Sequence, residues 1–257
     1  SREDMRKVDI SAGRSINLAL ANRGIKPLKA LGLMDEIKDL LIPMRGRMVH
    51  IDGEPSSFQP YGQAEHEVIY SISRGQLNSF LMNKAEDTGK VKFYFSHKVT
   101  SIDFNNNSFT IENCGNSHSK PFERIIGTDG ANSPVRHEIH ALSSIQHELA
   151  PLDHSYKELT ILPDGKDNHL LDKNALHIWP RGDLMLIALP NLDGSFTVTL
   201  FMPNKGYTSF ESIVSDEQIN HFFDTNFTDV KDKLANLVNS FKQNPTGKLA
   251  TIKCMPW

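Results

Sequence analysis

The sequence predicts an α/β protein with a mixed β-sheet inserted between segments of helix and strand. Three observations carry this. Residues 17–112 mix helical and strand-like periodicities. Residues 158–202 then hold four strand-like runs separated by Pro, Gly and Asp turns. Helical spacing returns at 217–241 before a last strand-like run at 248–254. At 257 residues the chain can bury one large core or two smaller ones.

Taken in order, residues 17–23 read as a short helix stopped by Gly24, with polar Arg14, Ser15 and Asn17 crowding its start. Pro27 opens a second helix that runs to Leu31, and residues 34–41 form an amphipathic turn closed by Pro43. Residues 48–51 and 68–73 alternate as strands, with a loop at 53–57. Ser73 and Gln76 form a capping box for a helix carrying Leu77, Phe80, Leu81 and Ala85 at helical spacing, ending near Gly89. Strands follow at 91–95, 99–104 and 109–112.

A short apolar strand at 124–127 runs into Asp129-Gly130 and then into a Ser133-Pro134 helix start with Arg136. Strand, glycine turn and helix N-terminus can present N–H groups and a carboxylate to a ribose-phosphate, although such a string is also ordinary connection chemistry. Further strands occupy 158–162, 175–179, 184–189 and 196–202, with hairpin connections at 181–183 and 191–194. Helices are expected at 217–223 and 230–241.

Composition narrows the function classes. A formal net charge of -3 creates no global field for nucleic acid or an anionic membrane. No apolar run reaches spanning length. Cys114 and Cys254 fit no metal spacing and read as separate thiols in a reducing compartment, which makes cytoplasmic the expected location. No metal site and no nucleophilic catalytic signature is expected, and His177 reads as structural. No G-x-G-x-x-G occurs. The first and last residues lack start or stop features, which reads as an internal segment of a longer protein.

Period-two geometry places Met185, Ile187 and Leu189 on one strand face and Thr197, Thr199 and Phe201 together on the next. Such a stripe is ordinarily plain core, and it also makes an apolar wall for an aromatic ring. Arg47 heads a strand and can fork onto a carboxylate, or pair with a surface acid. Tyr61 offers a hydroxyl and a flat apolar face. Arg74 in a first helical turn is disfavoured by the dipole, which invites a phosphate or a plain surface role.

The Asp129-Gly130 string resembles the Asp-Gly motif of FAD-dependent aromatic hydroxylases. The segment from Arg14 to Leu20, the segment from Pro43 to His50 with Gln59 to Gly62, and His177-Ile178-Trp179-Pro180 are similar to the kynurenine 3-monooxygenase branch of that family. The resemblance covers essentially the whole chain. It implies an incomplete Rossmann-like FAD-binding domain at 1–150, a mixed β-sheet substrate domain at 151–245, and a return strand to the FAD domain at 246–257.

By the same resemblance, Arg47 and Tyr61 match the residues that grip the amino-acid end of L-kynurenine. Ile69, Leu176, Met185, Ile187, Leu189 and Phe201 become wall candidates, and Leu18, Ala19, Arg74, Val99, Asp129 and Gly130 become cofactor contacts. The implied reaction is hydroxylation of L-kynurenine to 3-hydroxykynurenine with FAD, NADPH and O2 and with no acid–base catalytic residue. The flavin carries the chemistry while protein groups orient the ring. The alternatives are a flavin hydroxylase or reductase for another aromatic acid, or a non-catalytic fragment.

Overall fold

Backbone pairing in the computed structural model, which describes residues 3–7, 17–142, 146–166 and 168–255, forms three sheets among those residues. The chain begins β1 (Asn17–Leu20), α1 (Asn22–Ala30), α2 (Met34–Ile37), a 3-10 turn (Lys38–Leu40), β2 (Ile42–Met44), β3 (Gly46–Val49), β4 (Ser57–Pro60), β5 (Ile69–Ser73) and α3 (Arg74–Asp87). Next come β6 (Lys98–Asp103), β7 (Ser108–Asn113), β8 (Asn116–Pro121) and α4 (Pro134–Leu142). The remainder is β9 (Gln146–Ile161), β10 (Ala175–Arg181), β11 (Leu184–Pro190), β12 (Phe196–Pro203), α5 (Asp216–Asn226), α6 (Thr228–Lys231), α7 (Leu237–Gln243) and β13 (Thr246–Met255).

Contacts divide the chain into two units. One comprises Ser1–Asp9, Ala85–Leu152 and Ala250–Trp257; the other comprises Ile10–Lys84 and Asp153–Leu249. This grouping differs from the partition read in the sequence, because β3 pairs in parallel with β10 and so joins early residues to the later sheet. The larger unit holds β12, β11, β10, β3 and β4, with residues 153–161 of β9 and 246–249 of β13, in the sheet order β13-β9-β12-β11-β10-β3-β4, and a small sheet β1-β5-β2.

Alternation along β11 sorts its side chains by face. Leu184, Leu186 and Ala188 enter the main core with Trp179, Phe196, Val198, Leu200 and Met202. Phe222, Phe223, Phe227 and Phe241 from α5 to α7 close that core. Each buried aromatic or aliphatic side chain there contributes roughly 1.5–3 kcal/mol. A capping box fixes the start of α5: the Gln218 amide donates to Ser215 Oγ at 3.2 Å, and the Ser215 amide donates to Gln218 Oε1 at 2.9 Å. The opposite face of the sheet is left to Met185, Ile187 and Leu189, as period two requires.

The smaller unit carries the antiparallel meander β6-β7-β8, with α4 against β6. Arg6 bridges Asp4 at 2.8 Å and Glu86 at 2.5 Å, with its guanidinium 5.9 and 5.7 Å from the Phe93 and Phe95 ring centroids. The Ser-Pro helix start is present: Ser133 Oγ accepts from the Arg136 amide at 2.9 Å, and Pro134 opens α4.

Several elements depart from the sequence reading. Residues 17–20 form strand β1, not a helix, because they pair with β5, Leu18 opposite Ile72 and Leu20 opposite Tyr70. Tertiary pairing there overrides local helix propensity. The helix starts after them and carries Gly24 and Pro27 inside. The segments at 91–95 and 124–127 are not strands and form no ladder with a described strand. Residues 57–60 pair with β3, so the strand takes in Ser57, the last residue of the expected loop at 53–57, and 42–44 pair with β5. The helix expected at 230–241 breaks into α6 and α7 around Asn236, whose φ is 45°. Arg14, Ser15 and Ile16 lie outside the described residues.

Candidate functional site

The free face of the large sheet and the small sheet meet in an apolar cluster within the larger unit. Met44, Leu176 and Leu189 form its buried centre, and Ile69, Ile178 and Ile187 pack against it. Four of the expected wall residues, Ile69, Leu176, Ile187 and Leu189, are thus brought together. Met44 and Ile178 were not singled out in the sequence, although Ile178 follows Leu176 at period two and could have been. Met185 and Phe201 pair across β11 and β12 on the same face but lie outside this cluster. Phe201 instead meets Tyr156, with ring centroids 6.1 Å apart.

Arg47 stands in register with Leu176 on one side and Gln59 on the other, so its side chain shares the face that carries the wall. It is exposed, and no ion pair with a described residue involves it. Its guanidinium carbon lies 5.5 Å from the Tyr61 ring centroid. Burial raises the Tyr61 phenol above its ordinary value, opposed by a hydrogen bond and the positive charge from Arg47. The phenol therefore stays protonated and able to donate. Tyr61 is placed by its amide, which donates to the Arg45 carbonyl at 3.0 Å. Guanidinium and phenol together offer donors to a carboxylate at one end of an apolar wall.

A cleft of about 490 Å³ lies beside β1 and β5, lined among others by Asn17, Ser71, Ser73, Gln76, Asn191 and Thr197. Leu18 and Ala19 follow Asn17 on β1, half-buried and exposed respectively, and Arg74 opens α3 directly after Ser73. The Gln76 amide donates to Ser73 Oγ at 3.4 Å, the N-cap half of the expected capping box. Glu158, unremarked in the sequence, sits on β9 opposite Thr199, which is itself opposite Ile187. Burial raises its carboxyl above the ordinary value, and the positive charge of Arg74 works against that rise. Arg74 thus has an anionic neighbour inside the protein. Glu158 and Arg47 are four strands apart, about 19 Å at ~4.8 Å per strand, too far to grip one small amino acid together.

On the core side of the sheet a histidine chain ties β3 to β10. His177 Nε2 lies 2.9 Å from the Asp172 carbonyl, so that nitrogen carries the proton. His177 Nδ1 then accepts from His50 Nε2 at 2.9 Å, and His50 Nδ1 accepts from Ser56 Oγ at 2.7 Å. The His50 ring stacks on Trp179 with centroids 4.3 Å apart. Burial, and then the neighbouring His177, lower the His50 pKa to about 4. A base that weak is a poor activator of Ser56, so the chain is a structural tie and not a nucleophile–base pair. The hydrogen-bond partners of His177 are thus the Asp172 carbonyl and His50.

In the smaller unit, Asp129 and Gly130 lie in the loop before α4. Asp129 Oδ2 accepts from the Val135 amide at 3.4 Å, and Gly130 has a φ of 84°, a conformation that favours glycine. Arg136 donates to the carbonyls of Gly130 and Ala131, at 3.1 and 2.5 Å. Val99 lies on β6 opposite Ile111, beside a register shift. Among the described residues no group of three or more His, Cys, Asp or Glu side chains could hold a metal. Nor, among the described residues, is any helix long and apolar enough to cross a membrane.

No family model matches the sequence. The chain is 46% identical over 258 residues to a kynurenine 3-monooxygenase of Christiangramia forsetii, covering 100% of the chain and 57% of the relative. It is 44% identical over 256 residues to one of Flavobacterium johnsoniae, covering 99% and 56%. The similarity extends to a Dictyostelium discoideum kynurenine 3-monooxygenase, 41% identical over 244 residues. The chain thus spans a little over half the length of these relatives. Among solved structures, the tetrameric form of 2-methyl-3-hydroxypyridine-5-carboxylic acid oxygenase shares the fold at a TM-score of 0.71 and 17% identity, over 97% of this chain and 63% of that one. The flavin-dependent halogenase CmlS matches at 0.56 and 14%, over 88% and 40%.

Proposed function

We propose that this chain, a relative of the kynurenine 3-monooxygenases over its whole length, supplies the substrate wall and part of the cofactor site of an FAD-dependent enzyme that hydroxylates L-kynurenine to 3-hydroxykynurenine. The observation that carries the reading is Arg47, free of ion pairs with described residues and set over Tyr61 on the same sheet face as Leu176, Ile187 and Leu189. Kynurenine has the matching parts: a carboxylate at one end, an electron-rich aromatic ring at the other.

In this scheme the Arg47 guanidinium and the Tyr61 hydroxyl donate to the substrate carboxylate and fix its direction. Ile69, Leu176, Ile187 and Leu189 line the ring's resting place and keep water from it, with Met185 and Phe201 extending the same face. Bound FAD would supply the redox chemistry, drawing two electrons from NADPH and passing one atom of O2 to the ring while the other leaves as water. The roughly 490 Å³ cleft beside β1, of mixed polar and apolar lining and with the N-terminus of α3 at its edge, is compatible with part of such a group. Leu18, Ala19 and Arg74 are the proposed cofactor contacts there. Val99, Asp129 and Gly130 are those proposed in the smaller unit. No protein side chain is assigned a proton-transfer role.

The functional partition at 1–150, 151–245 and 246–257 is part of the same proposal, with β3 to β5 lending Arg47, Tyr61 and Ile69 to the sheet. So is a cytoplasmic setting, supported by two cysteines that remain free thiols. The test is the purified full-length parent supplied with NADPH, O2 and a panel of aromatic amino acids. A flavin absorption band and kynurenine-dependent formation of 3-hydroxykynurenine are expected. A colourless protein, or one that prefers a different aromatic acid, overturns the proposal.

A further inference from the structure

One polar group in the larger unit joins the two sheets that build the wall. Asn17, 7% exposed, ends its side chain among three acceptors: Ser71 Oγ at 3.2 Å, the Pro190 carbonyl at 3.1 Å, and Asn191 Oδ1. Ser71 Oγ donates to the same Pro190 carbonyl at 2.8 Å, so both lone pairs of that oxygen are engaged. Asn191 passes the network on, its amide nitrogen donating to Ser195 Oγ at 2.9 Å and Thr197 Oγ1 at 3.2 Å.

The sequence positions give this joint its meaning. Asn17 immediately precedes Leu18 and Ala19 on β1. Ser71 lies two residues from Ile69 on β5, and Pro190 follows Leu189 on β11. A shift of the Asn17 amide therefore moves the β1 strand against the wall. Asn17, Ser71 and Asn191 also line the cleft of about 490 Å³, so the network borders the cleft as well as the strands of the wall. Buried amide networks hold position sharply, because each partner left unmade exposes an unsatisfied group.

We propose that Asn17 is a positioning residue that sets the spacing between the cofactor strand and the aromatic wall, and thereby the fraction of reducing equivalents that reach the substrate ring. The inference rests on the functional reading above. Transfer between two bound reactants requires approach to within about 3–3.5 Å, and a displacement near 1 Å can cost on the order of a hundredfold in rate. Electrons already taken from NADPH then pass to O2 without hydroxylation: O2 takes two electrons and two protons and leaves as hydrogen peroxide.

The experiment uses the full-length parent, Asn17→Ala and Ser71→Ala. Three quantities are read: the kynurenine Kd by titration of the flavin band, the difference spectrum at saturating kynurenine without NADPH, and product formed per NADPH consumed. Asn17→Ala should keep its kynurenine Kd within about threefold, because Arg47 and Tyr61 are untouched, and each variant is saturated with FAD before the product ratio is read. Its difference spectrum should change, and product per NADPH should fall about fivefold or more, with hydrogen peroxide making up the balance. Ser71→Ala, which removes one of two donors to the Pro190 carbonyl, should show the same change at smaller size. If Asn17→Ala does not fold, Ser71→Ala decides. Parental spectra and parental product ratios in the folded variants overturn the inference alone. A parent that makes no 3-hydroxykynurenine overturns the functional reading and this inference with it.

Discussion

Replacing Arg47 by alanine in the full-length parent isolates the proposed grip on the substrate. The side chain leaves no buried cavity, since it is exposed on β3, and it breaks no ion pair with a described residue. What it loses is the charge-assisted hydrogen bonding to a bound carboxylate, which contributes roughly 1.5–3 kcal/mol. At about 1.4 kcal/mol per tenfold, the kynurenine Kd should rise ~10- to 150-fold. Tyr61 sharpens the test. Its ring lies 5.5 Å from the Arg47 guanidinium carbon, and a cation over an exposed or half-exposed ring contributes about 0.5–1 kcal/mol. Arg47→Ala, Tyr61→Leu and the double variant therefore form a cycle with an expected coupling of about 0.5–1.5 kcal/mol. Flavin absorbance titration gives the four dissociation constants, and the thermal transition should stay within about 2 °C of the parent. A parental Kd in Arg47→Ala refutes the carboxylate assignment. Strict additivity in the cycle would show that the two side chains do not act on the ligand as a unit.

Other consequences follow from the same geometry. Gly46→Ala should destabilise the protein by about 1–3 kcal/mol, because its Cβ would lie 2.8 Å from Pro60 Cα and 2.7 Å from the Phe58 ring, and would meet the Gln59 carbonyl as well; an unchanged urea midpoint counts against the β3–β4 packing. Arg74→Ala should loosen FAD retention, read as flavin content after gel filtration; full retention removes Arg74 from the cofactor site. His50 is held near about 4 when folded against an ordinary 6.5, so between these values the unfolded chain binds the extra proton. Its stabilising contribution is then complete above pH 6.5 and is lost as pH falls toward 4. The full shift corresponds to ~3 kcal/mol, and partial solvent access discounts it to ~1–2 kcal/mol. Urea unfolding from pH 7 to 4.5 should show a shallower acid loss in His50→Gln; an identical slope in both proteins refutes the neutral histidine chain.

The strand pattern of the wall was legible because period two leaves no freedom once pairing exists. Met185 meets Phe201 and Ile187 meets Thr199 as the alternation requires. Helix starts were legible where a side chain satisfies its own backbone, as at Ser133 and Ser73. The misreadings fall where a distant strand decides. Residues 17–20 carry helix-compatible Leu and Ala, yet β5 lies beside them and the ladder wins. Residues 124–127 carry strand-like apolar residues, yet they enter no ladder with a described strand.

Arg47 and Tyr61 could be named from the order of residues, because the motifs around them are local. That Arg47 shares a face with Leu176 could not, since their register is set across 128 intervening positions of chain by the parallel pairing of β3 with β10. The joint at Asn17, the carboxyl of Glu158 beside Arg74, and the fixed tautomers of His50 and His177 are likewise decisions of tertiary structure. A side chain's chemistry is written in its own residue. Its protonation, direction and partners depend on which distant backbone groups the fold brings within hydrogen-bonding distance.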